Sequence, residues 1–102
     1  LGLIHNMGNA LLLNNEPEEA MVYFEVLVRA QPDNPIGHLD MGNALIALGR
    51  YGDARERFQR ALQLNPKSAL AKEGLAKTAI LESLPPAPAE PSAGIDSAAP
   101  QR

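Results

Sequence analysis

The side chains of this 102-residue chain whose types could do chemistry are two histidines and a short run of acids. His5 and His38 offer imidazole nitrogens that serve as metal ligands or general bases elsewhere. A metal site needs further ligands converging on them, and the chain has no cysteine to supply a thiolate or a disulfide. Glu16, Glu18 and Glu19 form the acid run, but acids beside Pro17 at a helix start are explained by the helix dipole rather than by acid-base work. Glu25 with Arg29 and Glu56 with Arg60 are expected as i, i+4 pairs on solvated faces, each contributing about 0.3–0.5 kcal/mol. The expectation is therefore a non-catalytic chain with no cofactor and no metal.

The elements that must position these residues are set by a repeat. Met7-Gly8-Asn9-Ala10-Leu11 returns as Met41-Gly42-Asn43-Ala44-Leu45, and Ala20, Phe24 and Pro32 return at the same shift as Ala54, Phe58 and Pro66. A fixed period of this length means one supersecondary unit stacked on copies of itself. Leu3, Ile4, Met7, Ala10 and Leu11 recur at spacings of three and four, which predicts a helix over 2–14 stopped by Asn14-Asn15. Gly49 stands where the first copy has Asn15, so both copies should close a helix through a left-handed residue. Pro17 suits the first turn of a second helix running to about Gln31, where Pro32 and Pro35 stop it. Residues 36–48 and 51–65 repeat the pattern. A fifth helix, 68–84, offers Leu70, Ala71, Leu75, Ala79 and Ile80 to cover the stack and Lys72, Glu73, Lys77 and Glu82 to water.

From Pro85 the composition turns to proline and alanine, with Ile95 the sole larger aliphatic, which predicts a disordered tail. Its prolines also fit a Pro-rich docking motif. With 45% apolar residues but only two Tyr, two Phe and no Trp, the core must be aliphatic and alanine-rich, which suits close-packed helices. The net charge of -3 is uneven: Glu16, Glu18, Glu19, Glu25 and Asp33 face Arg29 in the first copy, whereas the second is basic. Neither copy is charged enough for a nucleic-acid partner, and no apolar run is long enough for membrane insertion.

These residues resemble the tetratricopeptide repeat, a 34-residue helix-turn-helix. The first copy supplies Ile4, Met7, Gly8, Leu11, Ala20, Phe24 and Pro32 and departs at Leu27; the second supplies His38, Met41, Gly42, Leu45, Ala54, Phe58, Ala61 and Pro66. The resemblance implies an all-α, right-handed solenoid of helical hairpins: repeat 1 over 1–34, repeat 2 over 35–68, a capping helix over 69–84 and the tail over 85–102. It also places His38 in a slot for a large packing side chain.

The resemblance further implies that the first helix of each repeat lines a concave groove that grips a peptide or partner helix. At its groove positions stand His5, Asn6, Asn9, Leu12 and Leu13, then Ile36, Leu39, Asp40, Asn43 and Ile46, with Leu70, Glu73, Gly74 and Lys77 from the fifth helix. The groove should be aliphatic, crossed by a polar track of Asn6, Asn9, Asp40 and Asn43, whose amides can hold a peptide backbone of any sequence. Asn6 is similar to the asparagine ladder of glycosyltransferase members of the family. The basic clamp of the chaperone-binding branch is not matched, since only Asn9 fits and Asp40 would repel a carboxylate. Val22 and Val26 stand where the family is polar and would make an apolar stripe on the convex face.

The function expected is a scaffold presenting its groove to a protein or peptide; the alternative is the substrate-recruiting arm of a larger glycosyltransferase or sulfotransferase. Opening in frame at Leu1, the chain reads as a piece of a longer protein, with further repeats upstream or self-association through Leu3, Ile4 and Met7. The setting expected is bacterial cytoplasm, or periplasm if a signal precedes the segment.

Overall fold

The computed structural model describes residues 2–84. The expected tail and its docking motif lie outside the described residues. Five helices follow in order: α1 (Gly2–Leu13), α2 (Pro17–Ala30), α3 (Pro35–Ala47), α4 (Tyr51–Leu64) and α5 (Ala69–Ser83). Each packs against its neighbours in sequence, and α1, α3 and α5 also meet side by side, so the first helices of successive units form one wall.

The helix ends follow local chemistry. Asn15 (φ 63) and Gly49 (φ 78) take the left-handed conformation at the same place in the two hairpins. The Asn34 side chain accepts from the Ile36 amide at 3.0 Å ahead of Pro35, and Ser68 Oγ accepts from the Ala71 amide at 3.1 Å. Both caps start a helix of the groove wall.

Gly8 and Gly42 carry the close approach within each hairpin. A Cβ on Gly8 would sit 2.3 Å from the Phe24 ring, and one on Gly42 2.7 Å from the Phe58 ring. A Cβ on Gly74 would sit 2.4 Å from the same Phe58 ring, so this ring joins α3, α4 and α5. The departure at Leu27 has its compensation in the facing helix: Gly37 sits beside Leu27 and Val28, whereas Ala61 shares its cluster with Ala71. Two core clusters result, around Phe24 and around Phe58, with Met21 packed against both.

The fifth helix departs from expectation. Its buried side is Ala71, Gly74 and Thr78, while Leu70 and Ile80 are 63% and 60% exposed and Ala79 is exposed too. Of the expected set, Ala71 is buried and Leu75 is half-buried against the Phe58 cluster; at the closest contacts with α3 and α4 the side chains are small. Thr78 is fully buried because its hydroxyl donates to the Leu75 carbonyl at 2.8 Å. The surface pairs differ as well: Arg60 reaches Asp33 at 3.6 Å and Gln63 at 3.1 Å rather than Glu56, and Arg29 makes no ion pair among the described residues. Exposed arginines have many rotamers, and a partner on an adjoining turn competes easily with an i, i+4 acid.

Candidate functional site

The site is assembled from the one-sided pattern of α1, α3 and α5. Side chains three or four apart on each helix share a face. Because the three helices lie side by side, positions 34 apart form rows across them. A groove of about 410 Å³ runs along this wall. Helix α1 contributes His5; α3 contributes Ile36, Leu39, Asp40 and Asn43; α5 contributes Leu70, Glu73, Gly74 and Lys77. Every lining residue occupies a position at which the resemblance placed the groove.

The remaining candidates lie elsewhere. Asn6 is exposed beyond the lining, and Leu13 is 89% exposed. Leu12 and Ile46 are half-buried against the two core clusters. Asn9 is half-buried and turned toward its own helix, where its amide nitrogen donates to His5 Nε2 at 3.0 Å. Of the polar track, Asp40 and Asn43 therefore line the groove directly, while Asn9 acts one residue removed.

A polar chain across two repeats organises the floor. His5 Nδ1 donates to Asp40 Oδ2 at 2.5 Å, while Nε2 accepts from Asn9. The Asp40 side chain is only 9% exposed and that of His5 33%. Burial pushes the Asp40 carboxyl above its ordinary value of 3.8, although the hydrogen bond and charge of His5 act the other way. The sequence presents His5 and Asp40 as two separate groove positions. What links them is their spacing of one repeat plus one position, which puts them on adjacent rows.

His38 is a packing residue, 4% exposed. Its Nε2 donates to the Pro32 carbonyl at 2.9 Å and its Nδ1 faces Arg57 Nη1 at 3.2 Å. Both histidines thus have both ring nitrogens engaged by protein groups. Among the described residues no group of three or more His, Asp or Glu side chains could hold a metal ion.

Outside the groove, Val22 and Val26 are 59% and 39% exposed on α2. On α1, Leu3 and Met7 are exposed, whereas Ile4 is turned into the core and does not belong to that face. The counterpart of Met7 is the buried Met41, and that of the exposed Ala10 is the buried Ala44. The exposed side of α1 is therefore the side that α3 packs against the preceding hairpin.

No helix among the described residues is long and apolar enough to cross a membrane. Comparison with known proteins places these features in context. The pattern of the tetratricopeptide repeat family matches residues 11–78. The chain is 39% identical over 80 residues to human protein O-mannosyl-transferase TMTC1 and 38% identical to its mouse counterpart. It is also 35% identical over 66 residues to fly protein O-mannosyl-transferase Tmtc3. These matches cover 78%, 78% and 65% of the chain but only 9%, 8% and 7% of the relatives. The bacterial setting expected from the sequence is overturned, since these relatives come from human, mouse and fly. Helix stacking constrains the buried packing residues, and these carry no record of the organism. With two helical hairpins, a glycine-gripped aromatic in each and a matching repeat pattern over two thirds of its length, the chain belongs to the tetratricopeptide repeat family.

Proposed function

We propose that this segment binds a polypeptide in the groove of α1, α3 and α5 and catalyses nothing itself. Tetratricopeptide repeats imply protein–protein interaction. The observation that carries the reading is the groove, in which exposed aliphatic side chains (Ile36, Leu70) stand beside exposed polar ones (Asn43, Glu73, Lys77). That mixture suits a peptide, which brings side chains to bury and a backbone to hydrogen-bond. Asn43 is the residue placed to meet the backbone, because its amide makes no hydrogen bond to protein side chains among the described residues. The test is a peptide array probed with the 102-residue chain and with a double variant, Asn43→Ala with Leu70→Asp. Loss of most bound peptides supports the groove, and undiminished binding removes it.

A second reading is favoured by the relatives, which are protein O-mannosyl-transferases. In it the segment is the recruiting arm of a larger transferase, holding a protein acceptor while a separate domain does the chemistry. The coding sequence upstream of Leu1 tests it. A transferase domain there supports the arm, and further repeats alone favour the free scaffold.

A further inference from the structure

The Asp40 carboxylate has one oxygen held and one open. Oδ2 accepts from His5, and no protein donor among the described residues reaches Oδ1, although the side chain is nine-tenths withdrawn from water and lines the groove. A buried acceptor without a donor is costly, and the natural remedy is a donor brought by the occupant. On α5 the position in the row of Asp40 is Gly74, which lines the groove and brings no side-chain donor to that oxygen. Beside it Glu73 is exposed and makes no ion pair among the described residues. The row of Ile36 and Leu70, four positions nearer the helix starts, is aliphatic and 43% and 63% exposed.

Helical rise converts these rows into a spacing. Four positions along a helix are about 6 Å, and in an extended peptide side chains two residues apart point the same way at about 6.5–7 Å. We propose that the groove's occupant is an extended peptide with an aliphatic side chain and a lysine or arginine two residues apart, the first against Ile36 and Leu70, the second between Asp40 and Glu73. Lys77, on the row beyond, opposes a further cation and so favours a single basic residue over a basic run. Burial pushes the Asp40 carboxyl up despite the opposing pull of His5, and a bound cation would add to that pull.

This proposal rests on the groove being the binding site, and its test separates the two. Fluorescence anisotropy with the 102-residue chain would compare a labelled, end-capped Gly/Ser peptide carrying Leu and Lys two residues apart with three others. In these Lys becomes norleucine, Lys becomes Glu, or the Leu–Lys spacing becomes four residues. The Lys peptide should bind about tenfold or more tighter than the norleucine peptide. Raising salt, and the exposed variant Glu73→Gln, should each narrow that gap; Asp40→Asn should nearly close it. Equal affinity for the Lys, norleucine and Glu peptides, with binding still lost on Leu70→Asp, overturns the cation and leaves the groove standing. Absence of binding by all four peptides overturns the proposal, and the groove reading falls with it if the array also finds none.

Discussion

Gly42 and Gly74 both lie against one phenyl ring, that of Phe58, and that contact decides what either position tolerates. A methyl on Gly42 would lie 2.7 Å from a ring that is 1% exposed and cannot retreat, so Gly42→Ala should destabilise by about 1–3 kcal/mol in urea unfolding. In α4 a Cβ on Gly52 meets nothing nearer than 3.9 Å, so Gly52→Ala should be neutral or stabilise by up to about 1 kcal/mol. Asp40 adds a pH dependence of definite sign. Its folded pKa is raised, so its contribution to stability is complete below the unfolded value near 3.8 and is lost as pH rises through the folded value. The melting temperature of Asp40→Asn should therefore gain on that of the unsubstituted chain as pH rises through this window; a difference independent of pH would contradict the burial described. Much at this scale was legible in the sequence, because Gly8, Gly42, Phe24 and Phe58 recur at one period. The His5–Asp40 bond was not, since it has no counterpart in the next pair of rows, where Leu39 and Gly74 stand.

At the scale of the element, α5 marks the limit of periodicity reasoning. Of the apolar residues expected to cover the stack, Ala71 and Leu75 do so, but the closest contacts select small side chains, so Gly74 and Thr78 are buried while Leu70 and Ile80 stay out. Hydrophobicity identifies a face only where there is room for large side chains. Ile80→Ser should accordingly cost less than about 0.5 kcal/mol, whereas Ala71→Leu should cost about 1–3 kcal/mol, both read from urea midpoints. The turns were legible, since Asn15 and Gly49 stand where a left-handed residue is required. Val22 and Val26 on α2 are proposed as a convex contact for another domain or subunit. On that proposal Val22→Glu with Val26→Lys changes elution volume or partner binding, and no change in either ends it.

At the scale of the molecule the repeat is a stack with one side of α1 uncovered. Leu3 and Met7 lie on the side that α3 buries against the preceding hairpin, so a further helical surface, from this protein or a second copy, is the proposed cover. If a second copy provides it, the melting temperature rises with protein concentration and Leu3→Glu abolishes the rise; a concentration-independent value excludes it. The family was legible from residue identities alone, whereas organism and partner were not, because stacking constrains the buried rows and leaves the groove rows free to vary. The central claim is that a polypeptide occupies the groove. A photoreactive benzophenone side chain placed at position 43 in the groove, and separately at the exposed position 59 on α4, tests it directly with the peptides selected by the array. Cross-linking from position 43 and none from position 59 is the result predicted; equal capture at both, or capture from position 59 alone, would contradict it.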